Sequence, residues 1–105
     1  MNAYVSNAGM TNFEPLGDPA YEGTVSTTVL VMGTDITMPA KARCALVSVK
    51  AQAVNVTFDG STPAASGAGL QLAVGLYYFG EAMLRNMRLV RAAGSDATVR
   101  IEWGS

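Results

Sequence analysis

The side chains able to do chemistry in this chain are eight carboxylates, seven cations and one thiol, with no histidine among them. Lack of histidine removes the commonest general base, the Ser-His-Asp and Cys-His constellations, and most zinc and transition-metal sites. Two carboxylates could still act as an acid and base pair. However, Glu14, Asp18, Glu22, Asp35, Asp59, Glu81, Asp96 and Glu102 are scattered, and most abut a Gly, Pro or Ser that marks a turn. Asp59-Gly60-Ser61 begins like a calcium loop, but no second acid follows at the alternating spacing such a loop needs. Gly67 and Gly69 precede Leu70 without a third glycine, a following helix or a Gly-Lys-Ser, so no nucleotide-binding turn is expected. Cys44 lies in the apolar alternation Cys44-Ala-Leu-Val47, which suits a buried and unreactive thiol. The expectation is a protein that is not an enzyme and has no catalytic, metal or cofactor site.

What remains is recognition through surfaces. Arg85, Arg88 and Arg91 are spaced three apart; on a strand, Arg85 and Arg91 share one face and Arg88 takes the other. One reading makes them solvated cations whose stems cover apolar surface. The other sets them against the acidic N-terminal segment of a neighbouring copy, where Glu14, Asp18 and Glu22 would accept bidentate guanidinium bonds. Charge is asymmetric in that direction, since no basic residue precedes Lys41. Phe13 and Tyr21 are apolar anchors in the same segment and join Glu14, Asp18 and the three arginines as candidate interface residues. Tyr77, Tyr78 and Phe79 are consecutive, so a strand there must turn at least one ring away from its core.

These residues need a scaffold of one domain's size, because 105 residues leave no room for a second core. Half the residues are hydrophobic and 14% are charged, against about 25% in ordinary soluble domains, so copies are weakly repelled and self-association is favoured. Net charge is -1 and the pI is about 5.1, with no Lys/Arg tract, which argues against nucleic acid as a partner. Met1 to Met10 has no basic residue and no apolar run, unlike a signal peptide. The longest uncharged stretch, Gly60 to Gly80, is too rich in glycine and polar residues to span a membrane. Synthesis in the cytoplasm and no membrane partner are expected.

Along the chain, residues 1–23 have Asn, Gly and Pro punctuation without a period and read as an irregular arm, followed by a domain over 24–105. Thr24 to Met32 reads as one strand, and Ile36 to Met38 as a short one stopped by Pro39. Arg43 to Lys50 and Val54 to Asp59 alternate and are expected to form a hairpin around Ala51-Gln52-Ala53. Ser61 to Gly69 is a long exposed loop; Leu70 to Phe79 is a strand with a bulge at Gly75. A strand is expected through Met83 to Arg91, with a helix over Glu81 to Leu89 as the alternative because Ala82 to Arg85 favour helix. After the Ala93-Gly94-Ser95-Asp96 turn, Ala97, Val99, Ile101 and Trp103 alternate cleanly with Thr98, Arg100 and Glu102. Frequent turns and little helical period predict an all-β domain, a β-sandwich or jelly-roll-like barrel of about seven to eight strands.

The segments Val54 to Gly75 and Met87 to Glu102 resemble small structural proteins of tailed bacteriophages. The shared elements are a strand ending in Phe58-Asp-Gly-Ser61, a small-residue loop, and a last strand after Gly94-Ser-Asp-Ala97. The resemblance covers the C-terminal half and implies a virion component, first of all a capsid cement or decoration protein. Such proteins commonly have jelly-roll or β-tulip-like folds, associate as homodimers or homotrimers, and bind the major capsid protein on the capsid surface. No family motif assigns contact residues, so none is carried over. A head-tail connector or tail-associated protein is the structural alternative. A carbohydrate-binding β-sandwich, with Trp103 or Tyr77 and Tyr78 as a stacking platform, is the alternative from another class.

Overall fold

The computed structural model describes residues 13–64, 68–92 and 94–105. Among them, β-branched, aliphatic and aromatic residues make eight strands: β1 (Tyr21–Val25), β2 (Leu30–Val31), β3 (Cys44–Lys50), β4 (Val54–Thr57), β5 (Leu70–Leu72), β6 (Gly75–Gly80), β7 (Arg88–Arg91) and β8 (Ala97–Gly104). One short helix, α1 (Glu81–Arg85), separates β6 from β7. The strands form two four-stranded antiparallel sheets, ordered β1-β8-β3-β6 and β2-β7-β4-β5.

The pairing has a simple rule. β1 pairs with β8, β2 with β7, β3 with β6 and β4 with β5, so the chain is doubled into one antiparallel ribbon with its bend after β4. Two more ladders, β3 with β8 and β4 with β7, wind that ribbon into two stacked sheets. This is the order of an eight-stranded jelly roll, within the all-β expectation.

Between the sheets lies the apolar core. From the first sheet come Ala45, Val47 and Val49 of β3 with Ala97, Val99, Ile101 and Trp103 of β8; from the second come Val54, Val56 and Leu89. The alternation in β3 and β8 therefore means what the sequence suggests: one face is dry. β4 departs from it, because all four of its residues are buried. Asn55 and Thr57 point to the outer side, where the β4–β5 loop returns over them. Asn55 Nδ2 donates to the Ala64 carbonyl at 2.6 Å, and Thr57 Oγ1 donates to the Ser61 carbonyl at 2.6 Å. Pro63 is buried beneath the same loop, which is thus folded onto its sheet rather than fully exposed.

Six sequence expectations are corrected. The Thr24 to Met32 run is two strands, β1 and β2, in different sheets. Thr28 N bonds Ser26 Oγ at 3.2 Å, and the Ser26 carbonyl accepts from Arg91 N in β7, so the chain turns across at Ser26. β3 and β4 are not a hairpin but lie in opposite sheets. Gly75 is the first residue of β6 rather than a bulge, since Leu72 and Gly75 also belong to opposite sheets. Glu81–Arg85 is helical, because one turn brings Leu84 and Met87 into the core together, whereas a continuous strand would send Leu84 and Met87 to opposite faces. Ile36 is buried but belongs to a turn, bridging Met32, and forms no strand with Met38. β1 begins at Tyr21, so the last three residues of the expected arm are in the sheet.

The β3–β4 crossing is made at Ala51. Gln52 N donates to the Lys50 carbonyl at 2.8 Å across a residue with φ of 73°, a tight γ-turn in which a Cβ is strained. Left-handed backbone costs a non-glycine residue roughly 1–2 kcal/mol, while glycine loses about 0.5–1 kcal/mol more backbone entropy on ordering. Ala51→Gly is therefore expected to raise stability by up to about 1 kcal/mol, read as an upward shift of the thermal midpoint. A lower midpoint would show that the turn is unstrained.

Candidate interaction edge

The residues capable of chemistry are kept apart by the fold. Among the described residues, no three of the His, Cys, Asp or Glu type are grouped to hold a metal ion. Cys44 is buried on the outer side of β3, and its hydrogen bond with Tyr78, followed by burial, pushes the Tyr78 phenol above its ordinary value. Burial likewise raises Tyr77, whose hydroxyl donates to the Ala73 carbonyl at 2.8 Å. Asp59 is fully exposed and committed to its own turn. Its Oδ1 accepts from Ser61 Oγ at 2.6 Å and from Ser61 N at 3.0 Å, which holds the carboxyl below its ordinary range. On the outer face of the first sheet, Arg100 lies opposite Glu22 and donates to both Glu22 and Glu102, at 2.9 and 2.8 Å, which raises its own pKa, Glu102 contributing most. These pairs are exposed and contribute little to stability.

The sequence-predicted interface residues divide into two groups that the fold does not join. Phe13, Glu14 and Tyr21 line the β1 side of β8. The Phe13 ring covers Gly104, the Glu14 backbone carbonyl accepts from Ser105 N at 2.9 Å, Pro15 bridges Gly104, and Leu16 N donates to the Trp103 carbonyl at 3.2 Å. Tyr21 is half-buried against the core, and Asp18 is exposed nearby in sequence. The arginines lie elsewhere: Arg85 pairs with Glu81 on its own helix at 2.7 Å, Arg91 pairs with Asp96 at 2.8 Å, and Arg88 is half-buried in β7. They form no single patch, and Glu22, expected to meet them from another copy, is engaged by Arg100 of its own chain. The rest of the expected arm, residues 1–12, lies outside the described residues.

A different surface is left open on the far side of the sandwich. Each sheet ends there in an edge strand, β6 in the first and β5 in the second, joined through Ala73-Val74. The opposite edges are guarded: β1 carries Glu22 and follows Pro19 and Asp18, and β2 is only two residues long. β6 has six residues, Gly75-Leu-Tyr-Tyr-Phe-Gly80, with neither charge nor proline, and among the described residues no strand pairs with its outer side. Three of the four exposed large hydrophobics among the described residues cluster in sequence along this margin, Leu70 at 62% exposed, Val74 at 49% and Leu76 at 42%; the fourth, Met83, is on α1. Behind it, Phe79 packs against Phe58 with ring centres 5.1 Å apart and stacks with Tyr77 at 6.0 Å, which stiffens the edge. An open cleft of about 450 Å³ adjoins it, lined by Phe58, Leu70, Thr57, Asp59 and Ser61.

Sequence reasoning missed this edge, though its signal was present: no Asp, Glu, Lys or Arg occurs between Asp59 and Glu81. It did anticipate that one of three consecutive aromatics would leave the core; Tyr78, on the outer face opposite Leu46, does so. Trp103 is only 4% exposed and inside the core, so it offers no stacking platform to a sugar. No helix of the described residues is long and apolar enough to cross a membrane. Comparison with protein-family models, with curated proteins and with solved structures finds no match to this chain.

Two expectations test these local arrangements. A Cβ on Gly104 would collide with the Phe13 ring and approach the Glu14 carbonyl at 3.0 Å. Gly104→Ala is therefore expected to displace residues 13–16 from β8, cost about 1–3 kcal/mol as overpacking does, and speed exchange of the Leu16 amide; an unchanged exchange rate would rule out the contact. For Asp59, the lowered folded-state pKa means its contribution is complete above the ordinary value of 3.8 and is lost as pH falls through the lower folded value. An NMR titration should give a midpoint below 3.8 that Ser61→Ala returns toward 3.8; a midpoint unaffected by the substitution would remove Ser61 as the cause.

Proposed function

We propose that this protein is a structural component of a bacteriophage virion, a capsid cement or decoration protein that stabilises the head shell by binding the major capsid protein and itself. The observation that carries the reading is a rigid jelly-roll sandwich with an uncharged, unguarded strand edge, in a chain whose carboxylates and thiol are dispersed among turns, ion pairs and buried sites. Jelly rolls serve viral shells, though also lectins and cupins, so fold alone does not choose between them. Supporting the choice are the resemblance of Val54 to Gly75 and Met87 to Glu102 to phage structural proteins and the low charge. So does the absence of any histidine to hold a cupin-type metal. Such a protein acts by area buried and by multiplicity: once one contact of an oligomer is made on a shell, the later contacts are intramolecular and gain effective concentration.

Antibody-gold labelling of intact virions from the source lysate tests this directly. Gold over the head surface is the expected result. Label confined to the neck or tail would replace cement protein with connector or tail component, and particles without label would overturn the virion assignment.

A further inference from the structure

We infer that the β6 edge is a self-pairing site, at which two copies join their β1-β8-β3-β6 sheets into one continuous eight-stranded sheet by antiparallel pairing of β6 with β6. The inference deepens the proposed function by locating the self-contact, and it stands or falls separately from the virion assignment.

An edge strand presents every second residue's N–H and C=O outward without a partner, and natural sheets block such rows with lysine, proline, bulges or short strands. β6 has none of these, and the stretch from Leu70 to Gly80 carries no charge. The choice of a second copy follows from that neutrality. A charged partner would find no complement here, whereas a neutral strand meeting its own copy across a two-fold axis brings no like charges together and leaves none unpaired.

Geometry restricts the register. Residues directly opposite in an antiparallel pair share a face of the sheet, so a two-fold axis perpendicular to the sheet must set one residue opposite itself. Centring on Tyr77 places Leu76 opposite the partner's Tyr78 on the outer face, and by symmetry does so twice. This covers the 42% exposed Leu76 with an aromatic ring, an aliphatic–aromatic cross-strand pair, and brings the exposed Val74 beside the partner's Gly80. Centring on Tyr78 instead leaves Leu76 opposite a glycine and unpaired, so the Tyr77 register is the one the side chains select. Tyr77 and Phe79, stacked and anchored by the Tyr77 bond to Ala73, hold the strand in shape before pairing, which lowers the entropy lost on association.

The experiment is light scattering on the full chain over a hundredfold range of concentration, with three variants. The wild type should pass from monomer to dimer with a micromolar midpoint. Leu76→Lys and, separately, Val74→Lys should raise the dissociation constant by at least about tenfold without changing the thermal midpoint of the monomer, since both side chains are exposed. Removal of residues 2–12 should leave the dimer intact. A wild type that stays monomeric, lysine variants that dimerise as well as the wild type, or a dimer lost with residues 2–12 would each overturn the assignment. Head labelling combined with a strict monomer would leave the virion reading standing and this one refuted.

Discussion

The structure depends on the ladder between β3 and β8. It is the longest pairing in the molecule, running from Cys44 opposite Gly104 to Lys50 opposite Thr98, and it joins strands far apart in the chain. Without it the protein would be a flat doubled ribbon, with β1 on β8 and β3 on β6 but nothing to bring those two pairs side by side. With it, Val47 meets Ile101 and Val49 meets Val99 on the inner face, and the second sheet has a wide apolar floor on which to close. The same ladder is non-local, so the entropy of closing a long loop is lost before most of the core exists. Such topologies fold slowly compared with helical chains of equal size.

Winding a ribbon into two sheets explains the connections. Apart from β4 to β5, which are joined by the bend of the ribbon within one sheet, every successive pair of strands lies in opposite sheets. The crossings are therefore where the chain needs unusual local chemistry: a γ-turn at Ala51, a hydroxyl-capped turn at Ser26, and a single helical turn after β6 that plugs the sandwich with Leu84 and Met87. The bend itself is a long connection, equal in length to the one between β2 and β3, and Asn55 and Thr57 tie it down from the outer face of β4. Polar side chains buried there are satisfied by loop carbonyls, which is why a strand with a buried asparagine is stable.

How much of this could be read from the sequence follows from the same topology. Period-two alternation reports which side chains are dry, and for Ala45, Val47 and Val49 or Ala97 to Trp103 it reports correctly. It carries no information on whether the chain stays in its sheet at the next turn. Thr24 to Met32 stays rich in β-branched residues and Leu70 to Phe79 stays largely apolar through a crossing, and so each pair of strands reads as one. The hairpin expected at Ala51 to Ala53 failed for the same reason: a short loop between alternating strands fits a hairpin or a crossing. Glu81 to Arg91 was ambiguous because helix formers and strand faces overlap in five residues, and only the joint burial of Leu84 and Met87 decides it. Ion pairing was hardest to foresee. Glu22 finds Arg100 only because β1 lies on β8, a neighbour 78 residues away.

The distribution of charge over the edges follows from those positions. β1 pairs its inner side with β8, and its flank is crowded by Pro19, Asp18 and the Glu22–Arg100–Glu102 network, so the first sheet is closed on that side by polar groups. At the other side the charges stop: Arg43, Glu81 and Arg85 gather at the end of β6 and leave its length bare. A chain selected only to be a soluble monomer would place a lysine among Gly75 to Gly80, at almost no cost to a core that Leu76 and Tyr78 do not fill. Its absence from an otherwise guarded sandwich is a constraint on what that edge meets, and a neutral strand with ordered aromatics behind it meets another strand best.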